Sequence, residues 1–282
     1  MSQQNTSILP ELKLGKSTEY VDQYDAKQLQ AVPRKLMRDS LPNKNQAFLG
    51  VDIWTGYEIS WLSQSGKPVV YIGEFTFSAN SANLVESKSF KLYLNSFNQS
   101  KFDSVEQVTA LMQQDLSACS GAEVEVTLYP LGQFAKRRVT YLSGDCIDEI
   151  DIEISSYNYN PDLLKLDSHK SELVEETLVS HLLKSNCLVT GQPDWASIEI
   201  CYQGQAFDKA SVLQYLIGFR NHNEFHEHCV ERIFRDLESR LKPQKLSVYA
   251  RYTRRGGLDI NPLRVSHMSL LKDKTAHRLV RQ

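Results

Sequence analysis

The chain has 282 residues, of which 41% are hydrophobic and 23% are charged, and its 32 basic side chains nearly balance 34 acidic ones. These values are typical of a globular chain of one or two modules and exclude a disordered or fibrous protein. The formal net charge of -2 argues against duplex binding, because proteins of that class neutralise phosphates with an excess of basic residues.

Neither membrane nor export signals are visible in the letters. No apolar run approaches the roughly 20 residues of a bilayer-spanning helix, and the polar opening MSQQNTS has no signal-peptide pattern. The five cysteines are an odd set without CxxC spacing. We therefore expect free thiols in a reducing cytoplasm, with no membrane and no direct nucleic-acid partner.

The first elements are a polar arm and a hairpin. The stretch 1–45 is polar and contains three prolines that interrupt any long helix, which predicts an extended N-terminal arm. Residues 48–63 and 68–79 are rich in β-branched and aromatic side chains, and a Gly-Lys-Pro turn lies between them. This composition predicts a β-hairpin.

Two helices and two strands are predicted next. Apolar side chains at i, i+3, i+4 and i+7 indicate a helix over 87–99 with one apolar face. A second helix is predicted over 104–116, where Ser104 begins a capping-box pattern. Residues 122–129 alternate between apolar and polar, as half-buried strands do. A further strand is predicted over 136–142.

The second half repeats this order. We predict strands over 174–184, 196–203 and 246–253, the last turning at Gly256-Gly257 towards another strand, and helices over 208–219 and 225–241. The pattern Ser-x-x-x-Tyr-Leu-x-x-Phe occurs at 89–97 and again at 211–219. This repetition predicts two duplicated modules, 46–145 and 171–282, joined by a linker over 146–170.

Cys187 is the first candidate for chemistry. It follows a predicted strand, precedes a loop with glycine and proline, and lies seven residues before Asp194. Only the thiolate is nucleophilic, and a free cysteine with a pKa near 8.5 is a few per cent thiolate at neutral pH. A buried, protonated Asp194 would donate a proton to the group that Cys187 attacks. The same segment is equally typical of a buried, inert cysteine followed by an aspartate in a turn.

Two basic segments suit an anionic ligand. Glu86-Ser87-Lys88 opens the first apolar-faced helix, and backbone N–H groups at a helix start favour anions. The alternative there is a first-turn glutamate with solvated lysines. Residues 254–257 (Arg-Arg-Gly-Gly) form a compact basic turn, suited to a phosphate or to an ordinary hairpin tip. Neither GxGxxG nor GxxxxGK[ST] occurs.

Histidines cluster at the start of the last predicted helix. A zinc site is one interpretation, with His222, His226 and Cys229 at helical spacings and Cys187 completing the shell. The spacing matches no familiar zinc motif, however, and Cys229 lies on the apolar stripe, where a core position is expected. The apolar stripe begins at Phe225, so a cap or turn is expected around Asn223. His226-Glu227 then suits a proton relay and a carboxylate acceptor.

Four segments in order carry a family resemblance. They are ESKSFKLYLNSF (86–97), CLVTGQPDW (187–195), FHEHCVERIF (225–234) and RYTRRGG (251–257). Together they resemble the two-module QueF family, NADPH-dependent 7-cyano-7-deazaguanine reductases of queuosine (tRNA modification) biosynthesis. The resemblance implies an α+β fold of two tandem tunnelling-fold (T-fold) modules, antiparallel β-sheets with helices on one face, and a homodimer.

The resemblance also implies the site. Cys187 would attack the nitrile carbon to form a thioimide, Asp194 would protonate the nitrogen, and His226 would move protons. The implied substrate-binding residues are Val85, Glu86, Ser87, His226 and Glu227. The implied NADPH-binding residues are Ser87, Lys88, Arg255 and Gly256. No metal is implied. Two alternatives stay open: a zinc-dependent hydrolase like the related GTP cyclohydrolase, and a non-catalytic purine- or pterin-binding module.

Overall fold

The computed structural model describes residues 20–43, 46–271 and 277–282. The first 19 residues of the predicted arm therefore lie outside the described residues. The chain divides into two compact units, each built from several segments. Unit 1 comprises Met1–Asp39, Ile53–Arg138 and Arg254–Asp259, and unit 2 comprises Ser40–Asp52, Val139–Thr253 and Ile260–Gln282. None of the described helices has the length and hydropathy needed to cross a bilayer.

Unit 1 contains a three-stranded arrangement and two principal helices. Its elements are β1 (Ala31–Pro33), α1 (Lys35–Arg38), β2 (Leu49–Leu62, the first four residues of which belong to unit 2), β3 (Pro68–Ser78), β4 (Asn83–Val85), α2 (Ser87–Ser96), α3 (Val105–Ser120), β5 (Val124–Pro130) and α4 (Leu131–Phe134). The strand order is β5-β3-β2, and β1 pairs separately with β4. The predicted hairpin, both helices and the strand after them are confirmed.

The ends of α3 follow from its caps. Ser104 accepts a hydrogen bond from the Gln107 N–H at 3.3 Å, as the capping pattern predicts. The helix continues past Leu116, the predicted end, to Ser120, because the first residue able to adopt the left-handed C-cap is Gly121 at φ 74°. The apolar pattern of the sequence therefore ended one turn before the helix does.

Unit 2 contains a longer mixed sheet and two principal helices. Its elements are β6 (Arg138–Thr140, beginning at the unit boundary), β7 (Asp145–Cys146), β8 (Leu173–Asn186), β9 (Pro193–Gln205), α5 (Lys209–Ile217), α6 (His226–Leu241), β10 (Lys245–Tyr252), β11 (Leu258–Val265, the first two residues of which belong to unit 1) and β12 (His277–Leu279). The strand order is β11-β10-β9-β8-β7. Every pair is antiparallel except β7 with β8.

The bounds of α6 agree with the predicted range 225–241 to within one residue. The helix runs from His226 to Leu241, with Phe225 as its N-cap. Before it, in place of the expected cap or turn, Asn223 forms an extended bridge to Asn186, and the Glu224 N–H donates to the Asn186 carbonyl at 3.0 Å. These contacts with the end of β8 keep the chain extended up to the first helical turn.

The two units repeat one set of contacts. In each, two tyrosine hydroxyls donate to one carboxylate on the second helix: Tyr24 (2.8 Å) and Tyr93 (2.7 Å) to Asp115, and Tyr159 (2.8 Å) and Tyr215 (2.6 Å) to Asp236. Each pair also surrounds a phenylalanine ring in edge contacts. The repeated letters at 89–97 and 211–219 therefore correspond to a repeated structure. The α+β architecture, with antiparallel-dominated sheets, is confirmed.

Candidate active site

Cys187 is the first residue after β8, where the hairpin to β9 begins. Its N–H donates to the Gln192 carbonyl at 2.8 Å, and its carbonyl accepts from the Gly191 N–H at 3.0 Å. Gly191 has a φ of 66°, a left-handed conformation that glycine adopts without strain. The loop thus fixes the backbone on both sides of a cysteine that keeps 8% of its surface exposed.

Strand register places Asp194 beside this loop. Asp194 pairs with Ser185 across the β8–β9 hairpin, and Tyr252 on β10 pairs with Ala196. Because strand side chains alternate between faces, these four residues lie on one face of the sheet. Asp194 is 3% exposed, so its carboxyl is buried.

His226 completes this arrangement from the first turn of α6. Its Nε2 lies 3.4 Å from Oδ1 of Asp194, and its ring meets the Tyr252 ring edge-on with centroids 4.2 Å apart. Burial raises the pKa of the Tyr252 hydroxyl well above its ordinary value. Tyr252 therefore stays protonated while it packs against the imidazole.

Glu227 and Cys229 follow on α6. Glu227 is 3% exposed, so the predicted carboxylate acceptor is withdrawn from bulk water. Cys229 is fully buried, and burial together with the charge of Glu224 raises the pKa of its thiol to about 12. Cys229 is thus a protonated core residue, as its place on the apolar stripe predicts.

A buried ion pair supports the segment between β8 and α6. Glu224 accepts two hydrogen bonds from Arg232, at 2.7 and 3.0 Å, and lies 3.0 Å from His222 Nε2. Burial alone would raise the pKa of Glu224, but the bonds from His222 and Arg232 outweigh it and bring the pKa to about 2. His222 thus has a structural partner.

Two cationic residues, Lys184 and Arg220, lie close to each other in unit 2 and were not singled out from the sequence. The Lys184 ammonium donates to Asn186 at 2.6 Å and to the Arg220 carbonyl at 2.7 Å. Burial and the Arg220 charge lower the pKa of Lys184, and Asp194 opposes this effect. No spacing rule links these residues, because they meet only through the β8–β9 pairing and the turn after α5. Tyr252 was not singled out either, because it comes close to Asp194 only through the pairing of β10 with β9.

The Glu-Ser-Lys motif lies in unit 1. Glu86 is the N-cap of α2, and its two carboxylate oxygens accept from the N–H groups of Lys88 and Ser89, both at 2.7 Å. It is 1% exposed, and burial raises its pKa even though these hydrogen bonds lower it. Glu86 is therefore the residue immediately before α2, in agreement with the predicted helix start at residue 87. Val85 is buried as the last residue of β4, and Ser87 is half-buried.

The basic turn also belongs to unit 1. Gly256 has a φ of 61°, and a Cβ there would lie 3.2 Å from Cδ of Lys91 on α2. Because Gly256 has no side chain, a space remains beside Lys91. Lys88 and Arg255 are half-buried. The motif and the turn thus form one cationic surface, which we call the basic cradle (Ser87, Lys88, Lys91, Arg255 and Gly256).

Comparison with known families matches two parts of the chain. Residues 20–128 match a family model described as "Nitrile reductase, 7-cyano-7-deazaguanine-reductase N-term". Residues 193–269 match a model described as "QueF-like protein". The chain belongs to the QueF family. It is therefore a nitrile reductase of queuosine biosynthesis with a T-fold architecture.

The duplication within this QueF chain is chemically asymmetric. In unit 1 the β2–β3 loop repeats the Cys187 loop: the Ser63 N–H donates to the Lys67 carbonyl, and the Ser63 carbonyl accepts from Gly66. Ser63 therefore holds the place of Cys187. By the same correspondence, Val69 holds the place of Asp194 and Val105 that of His226. The cysteine, carboxyl and imidazole occur together in unit 2.

The residues of the zinc alternative do not form a metal-like group. Within residues 20–43, 46–271 and 277–282, one set of three metal-ligating side chains has its donor atoms within 4.8 Å of one another, and it contains neither Cys187 nor His226. His222 is bound to Glu224, and Cys229 is in the core.

Proposed function

We propose that this chain reduces 7-cyano-7-deazaguanine to 7-aminomethyl-7-deazaguanine with two NADPH, through a thioimide on Cys187. The proposal rests on the β8–β9 hairpin, in which Cys187 follows β8 and the buried Asp194 pairs with Ser185, and on the 3.4 Å between His226 Nε2 and that carboxyl. Nucleophilic catalysis suits a nitrile, because it divides one difficult reduction into easier steps.

The covalent step balances without a further reactant. Cys187 first loses its thiol proton to solvent, and its thiolate sulfur then forms a bond to the nitrile carbon. One carbon–nitrogen π bond breaks, and the nitrogen takes its electron pair and gains a proton, which gives a C(=NH)–S thioimide. We assign the donation of that proton to Asp194, because its carboxyl is buried at the start of β9 and lies 3.4 Å from His226 Nε2. When the C–S bond later breaks, Cys187 leaves as a thiolate and is free to be reprotonated.

His226 is proposed to renew the proton on Asp194. The 3.4 Å separation is compatible with a proton passing directly or through one water. The imidazole is half-buried, so it faces both the carboxyl and the exterior of the unit. Tyr252, packed edge-on against the ring, holds the imidazole in this orientation.

Buried carboxylates are proposed to select the substrate. A deazaguanine presents ring N–H and amino donors, which need acceptors once they leave water. Glu227 supplies two oxygens in unit 2. We assign Val85, Glu86, Ser87 and His226 to the same task. Glu86 can contribute, because each of its oxygens uses one lone pair for the helix cap and retains another.

The basic cradle fits the phosphates of NADPH. Gly256 leaves beside Lys91 the space that a Cβ would occupy, and Ser87, Lys88 and Arg255 supply donors at a helix start and a turn. NADPH, when bound, supplies hydride, and the conversion of a nitrile into a primary amine consumes two. An enclosed site would protect the imine formed in between from hydrolysis.

The remaining features of the proposal follow from family membership. We propose a cytoplasmic homodimer with a small-molecule substrate and no direct nucleic-acid contact. We also propose that 1–45 acts as an arm, 46–145 as the Glu-Ser-Lys module and 171–282 as the cysteine module, with 146–170 between them. Size-exclusion chromatography with light scattering tests the dimer.

The decisive assay follows NADPH absorbance after 7-cyano-7-deazaguanine is added to metal-stripped protein. We expect two NADPH consumed per substrate, no turnover in Cys187→Ala, and unchanged turnover in Cys119→Ala, a half-buried thiol elsewhere. Failure of folded wild type to consume NADPH would contradict the proposal. Activity that required added zinc would favour the hydrolase alternative, and binding without consumption would favour the non-catalytic module.

A further inference from the structure

A set of metal-ligating side chains lies apart from Cys187. Donor atoms of Cys146, Asp148 and His181 all lie within 4.8 Å of one another in unit 2. Cys146 ends β7, which pairs in parallel with β8, and His181 lies on β8. The chain comes unusually close at this point, since a Cβ on Gly144 would lie 2.7 Å from the Thr177 carbonyl oxygen.

Hydrogen bonds orient two of the three donors. His181 Nδ1 lies 2.8 Å from the Ser197 hydroxyl, and in the tautomer in which Nδ1 donates to that hydroxyl, Nε2 has the lone pair that a metal requires. The Asp148 oxygens accept from the Ser180 hydroxyl at 2.6 Å and the His181 N–H at 2.9 Å. Each oxygen keeps a second lone pair. An outer layer of this kind fixes ring and carboxylate orientation in protein metal sites.

One cation lies close to this set. Arg281 donates to the Ser197 hydroxyl at 2.8 Å and to the His181 carbonyl at 3.0 Å. Burial lowers the pKa of Arg281, and the Asp148 charge counteracts this shift. The guanidinium is therefore near enough to compete electrostatically with a bound metal and to reduce its affinity.

We propose that Cys146, Asp148 and His181 bind one zinc ion, with water as the fourth ligand. Thiolate, imidazole and carboxylate are the donors that zinc accepts together, whereas magnesium and calcium prefer oxygen alone. Three protein ligands with an open position, half-exposed and beside Arg281, give an exchangeable site. The ion would fasten the segment after β7 to β8. This site does not depend on the proposed nitrile chemistry.

The test is a cobalt titration of the metal-stripped full chain. We expect one Co²⁺ per chain, a thiolate-to-cobalt charge-transfer band in the near ultraviolet, and displacement of that band by Zn²⁺. The band should disappear in Cys146→Ser and persist in Cys201→Ser, a control thiol on the neighbouring strand β9. It should also persist in Cys187→Ala, which separates this site from the nucleophile.

Two further variants probe the surroundings. Ser197→Ala should weaken Co²⁺ binding by roughly tenfold through loss of the orienting hydroxyl, and Arg281→Gln should tighten it by removing the nearby charge. If Cys146→Ser does not fold, judged by circular dichroism, His181→Gln replaces it with the same expectation. Absence of a band in wild type, or a band that survives Cys146→Ser, overturns the proposal. Loss of the band in Cys187→Ala overturns it equally.

Discussion

Cys187 and Cys229 lie in the same unit, yet their surroundings give the two thiols different chemistry. Cys229 is fully enclosed beside the Glu224 charge, which raises the pKa of its thiol to about 12 and keeps it protonated. Cys187 lies at a strand end, where a fixed loop leaves part of it accessible. A thiol reacts as its thiolate, so the surroundings of Cys229 prevent nucleophilic attack, and the proposal assigns that role to Cys187.

The proton donor gives the first prediction. Asp194→Asn keeps the shape of the side chain but removes the proton that the thioimide nitrogen needs. We expect kcat to fall by about 10²–10⁴, the usual contribution of general acid catalysis, while substrate affinity changes little. Steady-state kinetics measure both. A kcat within a factor of about three of wild type would show that Asp194 is not the donor.

The Glu224 ion pair gives a prediction about acid stability. The pKa of Glu224 falls from 4.5 in the unfolded chain to about 2 in the folded one. A depressed carboxyl pKa contributes stability above pH 4.5 that is lost as pH falls towards 2, and the shift corresponds to about 3 kcal/mol. Urea unfolding of Glu224→Gln across this range should therefore show a weaker dependence on pH than wild type.

Glu224→Gln should also be less stable at neutral pH, because Arg232 loses a buried partner. Glu238→Gln is the matched control, since Glu238 pairs with Arg235 at a partly exposed position on the same helix. An acid profile of Glu224→Gln that superimposes on the wild-type profile would contradict the assigned role of the carboxylate.

At the scale of elements, α2 and α5 begin in the same way with different consequences. Glu86 and Asp208 are the N-caps, and each carbonyl accepts from a serine hydroxyl three residues later at 2.7 Å. The serine oxygens also accept a backbone N–H from the preceding segment, from Gln30 in unit 1 and Lys165 in unit 2. Only the first of these caps is assigned to the deazaguanine.

Variants of Glu86 and Asp208 distinguish the contribution of an N-cap to stability from a contribution to substrate binding. Glu86→Ala and Asp208→Ala should each destabilise the protein by about 0.5–2 kcal/mol, the usual cost of a lost N-cap. Glu86→Ala should in addition raise the KM for 7-cyano-7-deazaguanine, whereas Asp208→Ala should not. Thermal unfolding and steady-state kinetics on both variants check this. Equal effects on KM would reduce Glu86 to a purely structural role.

The sequence predicted the elements better than their ends. The apolar stripe of α2 and the alternation of β5 specify their type, because burial of one face imposes the period. The extended segment before α6 is set by backbone hydrogen bonds to the end of β8, and the short strand β4 has too few residues to show a period. Such features depend on segments distant in sequence, which local patterns do not contain.

At the scale of the whole molecule, unit 2 is assembled from three separate segments around a buried arginine. Arg264 on β11 lies 2.7 Å from Asp52 and 2.8 Å from Glu231 on α6, and all three side chains are almost completely buried. The two carboxylates raise the pKa of Arg264 despite burial. The cluster thus joins Ser40–Asp52, α6 and β11 within the unit.

Removal of this cation should be costly. Arg264→Met leaves two buried carboxylates without their shared partner, and we expect a loss of about 3–5 kcal/mol in the free energy of unfolding. Lys35→Ala, which breaks an exposed pair with Asp39, is the control and should have little effect. A loss below about 1 kcal/mol in urea unfolding of Arg264→Met would mean that relaxation or water compensates the charges.

The sequence predicted only those residues of the candidate site that stand in a recognisable motif. Cys187, Asp194 and His226 stand in recognisable segments, and in the structure Asp194 is buried with His226 beside it. Lys184 and Tyr252 were missed, because each is a neighbour of this segment only through strand pairing, Lys184 with Trp195 and Tyr252 with Ala196, and neither belongs to a motif. Duplication was visible in the letters, but the replacement of the cysteine by Ser63 emerged only from matching hydrogen bonds.

The most direct test is the intact mass of the protein after it is mixed with 7-cyano-7-deazaguanine in the absence of NADPH. Addition of a thiol to a nitrile expels no atom, so wild type should gain the full mass of one substrate molecule. Cys187→Ala should gain nothing, and Cys119→Ala should behave as wild type. An adduct that persists in Cys187→Ala, or no adduct in an enzyme that consumes NADPH, would contradict the thioimide mechanism.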